Sequence, residues 1–326
     1  MSGRNAQLLT PVHEMRPSIT VTSPAKHASN VSAYGMLAVA VLCWAGNFVI
    51  GRALRFDAPP VALTFWRWTV AFLVLAPFTL QHLRSHWPVI RRSWKIIVLL
   101  ALFATVLQHV PYYWGLSETT ATNAALLNSA SPVFIVVLSV LLLHERFRAL
   151  AYAGIALSVC GVFVIVGRGE LQTIRALHLN AGDIWVLIGT LSWAGYTVCL
   201  RWRPPELRGL DLLALIAAAS VMLLAPLYVV EMATGKFLKP SGTSLMGIAY
   251  VGVVASVLAY EAWNRGVARV GPARAGPFMY LMLLYTPLLS IAFLAERVQT
   301  YHFAGAALIV AGIYLATTAG KSARHC

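Results

Sequence analysis

Residues 43–52 read CWAGNFVIGR and residues 192–201 read SWAGYTVCLR. The two strings share Trp, Ala, Gly, Val and Arg at the same places, 149 positions apart. The match continues along the chain. Ala76-Pro77 answers Ala225-Pro226 at the same offset. The offset then becomes 151 and holds: Gly115 with Gly266, His144-Glu145-Arg146 with Ala295-Glu296-Arg297, Gly154 with Gly305, and Gly161 with Gly312. Ordered matches across such a length mark an internal repeat.

The composition names the solvent of that repeat. Of 326 residues, 59% are hydrophobic and 11% charged, and the mean hydropathy is +0.73. A soluble domain carries about 25% charged residues, so these charges cannot cover a soluble surface. Apolar runs near 34–52, 60–80, 95–116, 122–142, 150–167, 182–200, 211–231, 244–264, 274–294 and 301–319 alternate with short polar stretches. Runs of about 20 residues are the signature of membrane-spanning helices. They lack the alternation of barrel strands, which need only about 10 residues. The expectation is an all-α membrane protein of ten transmembrane helices. A soluble all-helical protein is excluded because no polar faces remain for water.

The net charge of +14 suggests nucleic acid until its distribution is read. The N-terminal tail, the loops near 81–95, 143–149, 201–210 and 265–274 and the C-terminal tail together hold 17 of the 25 Lys and Arg. The opposite loops hold 7, and Arg67 lies inside a helix. An excess of Lys and Arg marks the cytoplasmic side. Both termini are therefore expected in the cytoplasm, of a plasma membrane that in a bacterium is the inner membrane. The expected partners are the lipid bilayer and a small-molecule substrate, with no nucleic acid, in a monomer.

The expected organisation is a polar, disordered tail (1–33), a first repeat (34–167), a linker (168–181), a second repeat (182–320) and a short tail (321–326). Each repeat holds five helices. Five is odd, so the second repeat enters the membrane inverted. The charges agree: Glu145-Arg146 falls on the basic side and Glu296-Arg297 on the poor side. Two inverted halves can exchange conformations and open a central site to either side in turn, which is transport by alternating access.

Polar groups at membrane depth are costly and face a cavity or one another. Arg67 cannot lose its charge. It reads as an anchor for a substrate carboxylate, or as a structural partner of a helix end or a snorkelling side chain. Glu261 is the acid well inside an apolar run, in LAYEAWNR. It reads as a proton-coupling carboxyl, or as the partner of Arg265 one turn on. Helix 3 carries LQHVPYYWG, where Pro111 removes a backbone hydrogen bond between Gln108 and Tyr112. His109 reads as a hydrogen-bonded packing residue. Asn123 and Asn128 open helix 4, and Tyr280 and Tyr285 lie on helix 9. The glycine pairs, seven apart, make helices 5 and 10 packing helices. The four cysteines, at 43, 160, 199 and 326, show no disulfide or zinc spacing. His144-Glu145 lacks a second His at 148, so a zinc protease motif fails. No enzyme activity, metal or cofactor is expected.

WAGNF in helix 1, Pro59-Pro60 with Arg67, YYWGL running into ATNAALL, and the LLLHER and FLAER ends of the two halves resemble the drug/metabolite transporter superfamily, and within it the ten-helix EamA-type permeases. The resemblance spans residues 34–319. It implies a basket in which helices 1–4 and 6–9 surround a central cavity and helices 5 and 10 pack outside. It also implies export of small metabolites, and the abundant Trp and Tyr extend it to exporters of aromatic amino acids. The alternatives are export of cationic or aromatic drugs or nucleosides, and, outside transport, a membrane-embedded enzyme or scaffold. The residues expected to bind substrate are Trp44, Asn47, Gln108, Tyr112, Asn128, Trp193, Tyr196, Tyr260, Trp263 and Tyr280, with Arg67 and Glu261 as charge or proton sites. Two further expectations follow. Asn47 and Tyr196, where the opening strings diverge, should both face the cavity, with Trp-Ala-Gly drawing helices 1 and 6 together. Pro132 has no counterpart before Glu296, where Pro287 stands instead, so helix 9 should bend at a different depth from helix 4.

Overall fold

The computed structural model describes residues 24–144, 149–170, 180–207, 209–270 and 276–318. Residues 1–23 of the expected tail, 171–179 of the linker, Glu145-Arg146 and the C-terminal tail lie outside them. The described residues form helices and connections, with no strand among them. In chain order these are α1 (Pro24–Ala53), α2 (Pro60–Ser85), the short α3 (Trp87–Arg92), α4 (Trp94–Glu118), α5 (Ala121–Leu143), α6 (Ala149–Val166), α7 (Ala181–Trp202), α8 (Gly209–Ala233), α9 (242–270), α10 (276–294) and α11 (Thr300–Thr318). The first helix begins at Pro24, upstream of the expected start at 34. Seven helices, α1, α2, α4, α5, α7, α8 and α9, are long and apolar enough to cross a membrane, and α6, α10 and α11 supply three shorter apolar helices.

Helix starts in such a protein need partners for their first N–H groups. Some are local: the Thr120 hydroxyl accepts from Asn123 N, and the Asn180 side chain from Gly182 N. Others come from far along the chain. Glu231, at the end of α8, accepts from Val61 N (3.1 Å) and Ala62 N (2.7 Å) at the start of α2. Glu296, just after α10, accepts from Ala121 N (2.8 Å), Thr122 N (3.1 Å) and the Thr122 hydroxyl (2.9 Å) at the start of α5. A carboxylate there meets both the free donors and the positive end of the helix dipole.

The principal contacts pair α6 with α11, α4 with α7, α2 with α8, α1 with α9 and α10, and α5 with α7. Every pair joins an element before residue 167 to one after 180. Exchanging α1 with α7, α2 with α8, α4 with α9, α5 with α10 and α6 with α11 returns the same set of pairs. Local conformation repeats as well. A π-helical segment interrupts α4 at Leu102–Val106 and α9 at Tyr250–Leu258. The last α-helical segments of α5 and α10 are Ser131–Leu143 and Met282–Leu294, of equal length and 151 apart. Each ends on a left-handed residue, His144 (φ 51°) and Ala295 (φ 52°). The two segments therefore share one register along the repeat, although their prolines do not. Pro132 opens its segment, whereas Pro287 lies inside the equivalent one.

The Trp-Ala-Gly strings do not pack on each other. Gly46 of α1 seats the ring of Tyr250, and Gly195 of α7 seats the ring of Phe103 at 3.1 Å. Each motif thus meets the π segment of a helix from the other half. The widened backbone also offers carbonyls there: Trp44 Nε1 donates to Ala255 O (3.0 Å) and the Ser192 hydroxyl to Phe103 O (2.7 Å).

Between α6 and α11 the expected small-residue packing is present. A Cβ on Gly161 would lie 2.8 Å from Gly305 O, and one on Gly312 would lie 2.5 Å from Gly154 O. Those atoms are backbone and cannot swing aside. Gly161→Val should therefore lower the thermal unfolding midpoint in detergent, by the overpacking cost of about 1–3 kcal/mol. Gly35→Ala, where nothing lies within 4 Å, should leave the midpoint unchanged or raise it.

Candidate functional site

One cavity of about 340 Å³ opens between the two halves. It stands at the small end of the range for small-molecule sites, roughly 300–1,000 Å³. Trp44, Asn47, Phe48, Arg67, Gln108, His109, Tyr112 and Asn128 line it from the first half, and Trp193, Thr197, Tyr260, Trp263, Met279 and Tyr280 from the second. None of the lining residues comes from α6 or α11. The breaks described above bring these side chains inward. The Asn128–Ser131 step interrupts α5 at the cavity wall, and Met279 and Tyr280 sit on the 3₁₀ turn that opens α10.

The aromatic wall is ordered by its own contacts. Trp44 meets Tyr260 edge-on (5.4 Å between centroids) and Trp263 at a tilt (5.5 Å), and Phe48 meets Tyr112 edge-on (5.8 Å). Such offset pairs are favourable and fix ring orientation. The Tyr112 hydroxyl bonds Asn128 Oδ1 and lies 3.0 Å from the Thr190 hydroxyl.

The polar end is built around Arg67, a residue only 2% exposed. Its Nε donates to the Ser256 hydroxyl (2.7 Å), and its Nη1 to Asn47 Oδ1 (2.9 Å) and the Tyr113 hydroxyl (3.0 Å). Tyr113 in turn donates to Asn47 Oδ1 (2.9 Å). Among the described residues no carboxylate forms an ion pair with Arg67, and no Asp or Glu lines the cavity. Gln108 Oε1 and His109 Nδ1 are buried there without a hydrogen-bond partner.

Nine of the ten expected binding residues and Arg67 thus meet in one cavity, and Tyr196 and Glu261 do not. Tyr196 belongs to a buried cluster with Leu100, Ala101, Cys199 and Ile216, and its ring lies against that of Trp193 (5.1 Å). Residues 193 and 197 share the cavity face of α7, one helical turn apart, and position 196 turns toward α4 and α8. Glu261 Oε1 accepts from Arg265 Nε (2.5 Å) in a partly solvated pair outside the cavity. His109 is buried at the cavity wall, its ring edge-on to Trp68 (5.7 Å) and tilted against Tyr113 (6.4 Å), so it packs as well as lines. Tyr285 is absent from the lining, and Asn123 belongs to a different cluster.

That cluster closes one end of the bundle and was not anticipated. Asp183, fully buried, accepts from the Thr119 hydroxyl (2.5 Å) and from Asn123 Nδ2 (3.4 Å). Asn123 Oδ1 lies 2.8 Å from His302 Nε2, and the other ring nitrogen of His302 accepts from Gln299 N (2.8 Å). His302 is therefore the donor to Asn123 in its neutral form. Arg52 Nη1 donates to Leu116 O and Ser117 O at the end of α4 (2.8 and 2.9 Å). With the Glu296 cap, this network ties α1, α4, α5, α7 and α11 together at one face.

The sequence profile of the EamA-like transporter family matches residues 31–167 and again residues 180–318. The chain belongs to the EamA-like transporter family. It is a multi-pass membrane transporter of the drug/metabolite transporter superfamily. An uncharacterized transporter of Bacillus subtilis (strain 168), YetK, is 24% identical over 286 residues, covering 87% of this chain and 86% of YetK. An uncharacterized transporter of Archaeoglobus fulgidus is 26% identical over 294 residues, covering 88% and 98%. Protein WALLS ARE THIN 1 of Arabidopsis thaliana is 25% identical over 307 residues, covering 83% and 78%. A solved crystal structure shares the fold with a TM-score of 0.56 at 21% identity, over 90% of this chain and 97% of that one.

For this EamA-family chain the geometry makes two predictions. Glu296→Ala removes an N-terminal cap from α5. It should lower stability by the usual cost of a lost cap, about 0.5–2 kcal/mol, read as a lower unfolding midpoint in detergent. Glu261→Gln, outside the cavity, should leave the pH profile of transport unchanged in reconstituted vesicles.

Proposed function

We propose that the chain exports small metabolites by alternating access, most readily amino acids with aromatic or large apolar side chains. The observation that carries the reading is the make-up of the cavity: aromatic rings from both halves and, among the described residues, one guanidinium and no acid. Rings take an apolar or flat side chain, and the guanidinium takes a carboxylate. The substrate-binding set is Trp44, Asn47, Arg67, Gln108, Tyr112, Asn128, Trp193, Tyr260, Trp263 and Tyr280. A cationic drug would be repelled by Arg67 and would find no carboxylate, so that alternative is disfavoured.

The alternating-access part rests on an inverted pair of five-helix repeats, 34–167 and 182–320, ten helices in all. Support comes from the family profile matching twice, from the reciprocal pairing of helices across the halves, and from the π segments and left-handed caps that recur near the same offset. Five helices per half reverse the second half, as the Lys and Arg distribution requires. The Asp183–Asn123–His302 network and the Glu296 cap would then seal the outer face, in a bacterial inner membrane with both termini in the cytoplasm.

The test is flux into proteoliposomes with a panel of labelled amino acids. Saturable uptake of aromatic or large apolar amino acids, lost in Arg67→Gln, is the expected result. No saturable flux of any amino acid would overturn the substrate class.

A further inference from the structure

The hydrogen-bond directions around Arg67 leave a specific set of groups unused. Asn47 Oδ1 accepts from both Arg67 Nη1 and the Tyr113 hydroxyl. Both of its lone pairs are therefore engaged. Turning the amide over would set N–H against N–H, so the orientation is fixed by chemistry. Asn47 Nδ2 makes no hydrogen bond among the described residues, and Asn47 lines the cavity. On Arg67, Ser256 holds Nε, while Asn47 and Tyr113 hold Nη1. Among the described residues Nη2 makes no hydrogen bond. Two pairs of donors, from Arg67 Nη2 and Asn47 Nδ2, thus remain beside one uncompensated charge.

We propose that Arg67 and Asn47 form a preset subsite for a monocarboxylate, and that the substrate is recognised by its carboxylate and apolar body, with or without an ammonium group. The proposal deepens the transport reading and rests on the cavity being the substrate site. A carboxylate offers two oxygens with about four acceptor positions, enough for the free donors of both residues. Its single charge balances one guanidinium; a dianion would leave one charge unpaired in a desolvated site. An ammonium has no equivalent partner. Among the described residues no Asp or Glu lines the cavity and the Asn47 oxygen is already occupied, so the acceptor left for an ammonium is the neutral Gln108 Oε1, which carries no charge to balance it. Tyr113 and Ser256 act as positioning residues: Ser256 holds Nε, Tyr113 holds Nη1 and fixes the Asn47 amide, and neither lines the cavity.

The experiment is equilibrium binding to the detergent-purified full chain, read by intrinsic tryptophan fluorescence, since Trp44, Trp193 and Trp263 line the cavity. The probes are phenylalanine, 3-phenylpropionate, which lacks the ammonium, and 2-phenylethylamine, which lacks the carboxylate. The two carboxylates should bind with affinities within about threefold of each other, and the amine should not compete. Asn47→Asp keeps an oxygen for Arg67 and Tyr113 but gives Arg67 an internal counter-ion. It should weaken both carboxylates by about tenfold or more with no loss of thermal stability. Tyr113→Phe removes one of the two donors that hold the Asn47 oxygen and one of the two acceptors that hold Arg67 Nη1; it should weaken both carboxylates as well, and keeps the test open if Asn47→Asp unfolds. Competition by 2-phenylethylamine equal to that of 3-phenylpropionate, no binding of either carboxylate, or unchanged carboxylate affinity in a folded Asn47→Asp protein would each overturn the subsite. Loss of amino-acid flux with this binding pattern intact would instead overturn the transport reading alone. Amino-acid flux with competition by the amine would overturn the subsite alone.

Discussion

A guanidinium deep in an apolar bundle cannot shed its charge, and everything at the centre of this protein is arranged around that fact. Arg67 is surrounded by neutral oxygens from three other helices: Asn47 on α1, Tyr113 on α4 and Ser256 on α9. A carboxylate partner would have cancelled the charge and ended the matter. Neutral partners fix the side chain's position while leaving its field in the cavity. Ser256 serves from within the π segment of α9, where its own hydroxyl donates to Val251 O (2.8 Å). The irregular backbone of α9 thereby orients the charge, in keeping with the rule that broken helices are tolerated where they line a cavity.

The acids are used elsewhere, at helix starts. Glu231 and Glu296 each lend a carboxylate to a helix of the other half, and Asp183 joins α7 to α4 and α5. Charge is thus sorted by position: the cation lies at the cavity and these buried or half-buried anions lie at its ends. The same sorting explains why Glu261, paired with its neighbour Arg265 in a solvated position, contributes nothing to the interior.

Much of this was legible from the residues. Polar and aromatic side chains in apolar runs stand out, and Trp44, Asn47, Arg67, Gln108 and Asn128 converge as their cost at membrane depth requires. Tyr196 did not follow, because facing is decided by helix rotation of about 100° per residue, and Thr197 on the next position took the cavity side. Tyr113 was visible as a residue but not as the fixer of Asn47, a role that appears only when three helices are placed together. Glu231, Glu296 and Asp183 stand at the edges of apolar runs, where nothing nearby in the sequence names their partners. Their partners are hydroxyl, amide and backbone groups, those of Glu231 and Glu296 some 170 residues away, and backbone amides leave no trace in a sequence. The shared register of the last segments of α5 and α10 could not be read from the prolines, since Pro132 opens one segment and Pro287 lies inside the other.

The direction of the capping contacts bears on how the molecule is made. Chains fold from the N-terminus as they are synthesised, and the first half leaves the ribosome before Glu231 and Glu296 exist. Until then α2 and α5 begin with backbone donors that only water or lipid headgroups can satisfy. The first half therefore keeps unmet donors at two helix starts until the second half is inserted. Gene splitting or truncation near residue 170 should produce a fragment that the cell's membrane quality control recognises, whatever the state of the substrate cavity.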